Sequence, residues 1–140
     1  MRPTIFLSSA ILAGLTEAAA AQQPSPAVKL TDVAGVWDSE TLGPKDRVLV
    51  TTVETISADG KGWTMRFPEG APIAVRLVST AGDSIVTEAG PFPSYLRPGQ
   101  TVTLLHTVSH YKGNEKWATA VARYAGGDTL TFQLTATRRK

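Results

Sequence analysis

Few side chains in this 140-residue chain can do chemistry, and its only two histidines, His106 and His110, come first. A pair of imidazoles can hold a metal ion, and one imidazole beside a carboxylate can move a proton. Four residues apart on one strand, the two would face the same side about 13 Å from each other. Ligands sharing one zinc ion lie within roughly 4 Å of each other, so this spacing does not chelate without a bulge. The chain has no cysteine, which excludes thiolate catalysis, disulfides and Cys-ligated zinc.

Glu88, Glu54, Asp46 and Asp38 are the candidate carboxylates. None of their spacings by itself sets two acids across a scissile bond. Gly-x-Ser-x-Gly, His-Glu-x-x-His, a phosphate loop and a dinucleotide fingerprint are all missing from the sequence. The expectation is a protein that is not an enzyme and uses neither cofactor nor metal. Were it an enzyme, His106 with Glu88 would be its centre. Lys and Arg number 14 against 12 Asp and Glu, a net charge of +2, and they are dispersed along the chain. That distribution gives no reason to expect a nucleic-acid groove.

The elements that must position these residues begin after an address segment. Met1-Arg2-Pro3-Thr4 is a short positive start, Ile5 to Leu15 is apolar, and Ala18 to Ala21 supplies small residues for cleavage before Gln22. Residues 1–21 therefore read as a signal peptide. The apolar run is too short for a bilayer, which needs about 20 residues, so no membrane span is expected. Export to the periplasm or outside the cell follows. Residues 22–29 (QQPSPAVK) read as a linker and residues 30–140 as one domain.

Glycine in that domain falls almost only where apolar alternation stops. Five turn signals lie at residues 59–62, 68–70, 81–83, 112–114 and 125–128. The Val-, Thr- and aromatic-rich runs between them predict strands at 35–41, 47–57, 62–67, 73–80, 84–89, 101–110, 115–124 and 129–137. The predicted class is all-β: an antiparallel up-and-down barrel of about eight strands, with a β-sandwich as the alternative. Alternation places Trp63, Met65 and Phe67 on one face, and Val102, Leu104, His106 and Val108 on another. If that second face is internal, His106 points into the barrel, either satisfied within the core or touching a ligand.

The run Leu30 to Trp37 (LTDVAGVW), a short helical turn leading into Gly-x-Trp, resembles the opening of lipocalin-like (calycin) barrels. The resemblance implies an Arg packed over that Trp from the end of the last strand. Arg138 and Arg139 stand in that position, so Gly35, Trp37 and one of the two arginines would form a closing clasp. The run Val86 to Phe92 followed by Leu96-Arg97 is also similar to small exported bacterial proteins of unassigned activity. That likeness carries no activity with it.

The long connection from Gly90 to Gln100 holds three prolines together with Phe92, Tyr95, Leu96 and Arg97. It would either cover a cavity as a lid, Arg97 steering an anionic group, or plug the barrel end permanently. The leading functional expectation is an exported barrel binding a small hydrophobic or amphipathic molecule. Trp63, Met65, Phe67, Phe92, Tyr95, Arg97, Leu104 and His106 would form its site. The alternative is a protein-binding module, such as an inhibitor of an exported enzyme, using the same loop as a wedge. A cavity of about 300 Å³ or more would favour the first reading.

Overall fold

The computed structural model describes residues 27–140, and the expected signal peptide lies outside them. A single helical turn, α1 (Leu30–Val33), precedes nine strands. These are β1 (Gly35–Leu42), β2 (Val48–Ile56), β3 (Thr64–Arg66), β4 (Ile73–Ala81), β5 (Ser84–Ala89), β6 (Phe92–Pro93), β7 (Thr101–Lys112), β8 (Glu115–Tyr124) and β9 (Thr129–Arg138). All pairings are antiparallel. Neighbours in sequence are neighbours in space, and β1 pairs with β9 to close the ring. Eight strands make an up-and-down barrel, so the ladder has no open edge around most of its circumference.

β6 is the ninth strand, and it continues the path of β5 beyond Gly90, both pairing with β7. Gly90 has φ +123°, and a Cβ there would lie 2.8 Å from the carbonyl oxygen of Thr103. Opposite that glycine β7 bulges, with Val102 facing Tyr124 and Leu104 facing Arg123, leaving Thr103 as the extra residue. The bulge reverses the alternation of β7. Below it Thr107 and Ser109 are buried, whereas Leu104, His106 and Val108 take the outer phase. The placement of Leu104 and His106 inside the barrel is thereby corrected, because one extra residue exchanges the faces of every residue beyond the bulge, while Val102 before it stays inside.

The core divides along the barrel axis. At one end Val33, Trp37, Ile56, Trp63, Ile85 and Ala136 pack together, with Val28, Leu30 and Tyr111 against them. Val28 also donates its backbone N–H to the carbonyl of Gly82, which holds the start of the described chain against the β4–β5 turn. Toward the other end Met65, Ala89, Phe92, Val102, Ala122 and Tyr124 form a second cluster, bordered by Phe67, Leu105 and Phe132. No helix among the described residues is long and apolar enough to cross a membrane.

Candidate functional site

The closed end is held by one arginine. Arg138 stacks its guanidinium 5.1 Å from the Trp37 ring centre, and Trp37 is fully buried. Nη1 of Arg138 donates to the carbonyls of Asp32 (2.7 Å) and Ala34 (3.1 Å), Nη2 to Gly113 (3.2 Å), and Nε to Asn114 Oδ1 (2.9 Å). The indole N–H of Trp37 donates to the carbonyl of Val33 at 2.8 Å. Gly35 sits under the arginine stem, where a Cβ would approach Cδ to 3.1 Å. Gly35, Trp37 and Arg138 are thus brought together. Arg139, one residue later, points outward and grips Asp38 at 2.7 and 2.9 Å. That pairing holds the Asp38 carboxyl below its ordinary range, through the hydrogen bonds first and the charge of Arg139 second.

Above this plug lies a cavity of about 60 Å³ inside the barrel. The inward face of β8 is small-sided, with Ala118, Ala120 and Ala122 all buried, and Ala122 among them lines the cavity. The same alternation points Lys116 inward, and that on β2 does the same for Glu54. Lys116 Nζ donates to Glu54 Oε2 at 2.8 Å, the two side chains being 5% and 13% exposed. Glu54 Oε1 accepts the indole N–H of Trp63 at 3.0 Å. Ser39, Thr41, Thr52, Thr87 and Thr107 line the middle of the cavity, so its lower part is studded with hydroxyls.

Glu54 is in register with Trp37, and Lys116 with Tyr111, while Trp37 and Tyr111 meet edge to face at 5.2 Å. The ion pair therefore stands directly on the closed end. Burial pushes the Tyr111 phenol well above its ordinary pKa, the negative charge of Glu54 adding to the effect. Ser109 lies near enough to oppose this slightly, yet the buried Tyr111 hydroxyl makes no hydrogen bond.

The mouth is aromatic. Phe67 stacks on Tyr95 with ring centres 4.1 Å apart and planes 11° from parallel, and meets Phe92 at 5.8 Å. Tyr95 is 42% exposed, and its hydroxyl lies where a Cβ on Gly70 would come to 2.6 Å. The loop beneath is pinned: Ser94 Oγ accepts from the Arg97 amide at 3.0 Å and meets the Tyr124 hydroxyl at 3.1 Å.

Met65, Phe67, Phe92 and Tyr95 line the cavity, as does Leu96. Trp63 is buried in the plug below and does not line the cavity. It meets the site through Glu54 and through Val75, whose N–H its carbonyl accepts at 2.9 Å. Arg97 does not face the interior. It covers the ring of Tyr124 at 4.6 Å and reaches Asp128 at 3.9 Å, so the anion-steering role expected of it is corrected. Leu104 and His106 lie outside for the reason given by the bulge.

On that outer face His106 stands 3.8 Å from Glu88, its side chain 43% exposed. His110 Nδ1 is 3.3 Å from both Ser84 Oγ and Asp83 Oδ1. Both contacts fall on one ring nitrogen, so the imidazole cannot take a proton from serine through one nitrogen while the acid orients the other. Among the described residues no group of three or more His, Asp and Glu side chains could hold a metal ion. Glu54 was among the candidate carboxylates, but its inward partner Lys116 was missed from sequence. Its signal was a lysine in phase with alternate alanines, since an inward charge on a small-residue strand face is unusual. No protein-family model, curated protein or solved structure matches the chain.

Proposed function

We propose that the protein is an exported lipocalin-like barrel that binds a small amphipathic molecule in its interior and performs no catalysis. One observation carries this reading: the barrel interior is lined by a buried ion pair and six serine and threonine side chains where packing alone needs only apolar groups. A buried ion pair is weak support for stability, because replacing it by apolar residues of similar volume is often neutral or favourable. Its presence among the cavity-lining residues supports use as a recognition surface.

The cavity of about 60 Å³ accommodates a few waters, and ligand sites usually enclose about 300–1,000 Å³. That is below the size that favours ligand binding, so on this reading a ligand of ordinary size has to displace the Phe67–Tyr95 stack and the Phe92 side chain. Tyr95 is the cover best suited to move, since it is already half in solvent and held by one stack and one turn.

Native mass spectrometry of the protein purified from its host, with thermal shifts across a lipid and small-molecule panel, tests this reading. The expected result is a bound small molecule and a rise in Tm of several degrees, as binding to the native state alone requires. No co-purified molecule and no shift across the panel would overturn it. The protein-binding alternative gains from the exposed Tyr95, Val48 and Leu49, and a stable complex with an exported enzyme would favour it.

A further inference from the structure

The chemistry of the cavity floor narrows the class of ligand, and the argument rests on the binding reading above. Lys116 presents three N–H donors, of which one goes to Glu54. Glu54 is itself engaged at both oxygens, by Lys116 and by the indole of Trp63. The floor is thus electroneutral and still has hydrogen-bonding capacity. The hydroxyls of Thr41, Thr87 and Thr107 extend that capacity upward, toward the apolar Phe67 and Phe92 at the mouth.

We infer that the ligand is an uncharged amphiphile, such as an alcohol, ketone or ester, whose oxygen is received by Lys116 and whose apolar part lies against the mouth. A carboxylate would place a second negative charge beside Glu54 in a site shielded from water. The single ammonium of Lys116 cannot neutralise both. A bare cation fails for the mirror reason, since Glu54 is already paired. An uncharged oxygen needs no third charge: it accepts from a free Lys116 N–H and, if hydroxylic, donates to Glu54 or a threonine. Glu54 is accordingly the positioning residue that sets head-group charge, and Lys116 is the group that contacts the ligand.

The test is calorimetric titration of the full chain with a matched pair, octan-1-ol and octanoate, at neutral pH. The native chain is expected to bind octan-1-ol at least about tenfold more tightly than octanoate, as an uncompensated buried charge demands. Glu54→Gln leaves the ammonium without its counter-charge and is expected to reverse the order. The double variant Glu54→Gln with Lys116→Met is neutral again and returns the preference to octan-1-ol. Circular dichroism and the unfolding midpoint of each variant establish that it is folded, and the native comparison is decisive even if Glu54→Gln is not.

Tighter binding of octanoate by the native chain, or an unchanged order in a folded Glu54→Gln, overturns the inference. Failure of both probes while the wider panel yields a charged ligand overturns the inference and leaves the binding reading standing. Failure of both probes and of the whole panel removes the binding reading itself.

Discussion

The two ends of this barrel are built from the same alternation of inward and outward residues and come out unlike. At the closed end the inward positions carry Trp37, Ile56, Trp63 and Ile85, all at most 3% exposed, and one arginine satisfies four backbone and side-chain acceptors over them. Above it the inward positions carry the Lys116–Glu54 pair and several threonines. Toward the mouth Met65, Phe92, Val102 and Tyr124 surround what space is left, with the Phe67 and Tyr95 rings over it. The closed end gains its stability from dense contact among large side chains. The part above it also holds inward polar groups, which contribute less to stability, and it is the part that encloses free space. The residues that supply most of the stability and those proposed to receive a ligand are thus separated along one axis.

Trp37→Ala should break this comparison most severely. It removes a fully buried indole and leaves Arg138 with nothing to stack on, at a cost of about 3–5 kcal/mol. Denaturant unfolding monitored by circular dichroism measures it. A loss as small as that of a mouth substitution would show that the two ends are not different. Tyr95→Ala should cost only about 1 kcal/mol, the worth of one aromatic stack on a half-exposed ring. Stopped-flow fluorescence should show an apolar dye entering this variant faster than the native barrel. An unchanged rate would make Tyr95 a fixed plug and not a cover.

The smallest effect sharpens the contrast inside the closed end itself. Arg138 is committed to the Trp37 clasp, whereas Arg139 holds Asp38 at the surface. Asp38 has a lowered folded pKa, so its contribution is present above the ordinary carboxylate value. It is lost as the pH falls through the depressed one. Because both side chains are about half exposed, the contribution is screened by salt and modest. Unfolding midpoints of Asp38→Asn across pH 2 to 6, at low salt, should lack one small acid-dependent loss that the native chain shows. Identical pH profiles would mean the surface pair contributes nothing.

Much of this architecture was legible because it rests on local signals. Glycine-bearing turns bound each strand, and the expected range 84–89 coincides with β5 (Ser84–Ala89) while 115–124 coincides with β8 (Glu115–Tyr124). β6 was not read as a strand: two residues, one of them a proline and preceded by Pro91, carry no alternation, and only their pairing with β7 makes them one. The candidate site was half legible. Met65, Phe67, Phe92 and Tyr95 follow from apolar runs and one aromatic loop. His106 and Leu104 were assigned to the wrong side since Leu104 and Leu105 are adjacent apolar residues, which two phases of alternation fit equally well.

By itself the sequence determined the antiparallel all-β class, the approximate positions of eight of the nine strands and the presence of an arginine-bearing terminus able to reach Trp37. These depend on turn chemistry and on a period of two, which act over a few residues whatever the chain does elsewhere. Only the tertiary structure decided which face of β7 is inside, through a bulge that forms where Gly90 on the neighbouring strand leaves room for the Thr103 carbonyl. It alone decided that Arg138 and not Arg139 closes the barrel, because the β1–β9 register sets Arg138 opposite Trp37. It alone joined Lys116 to Glu54 across 62 residues of chain. Contacts across a barrel exist only once the ring is closed, and no local pattern encodes which inward side chains will then meet.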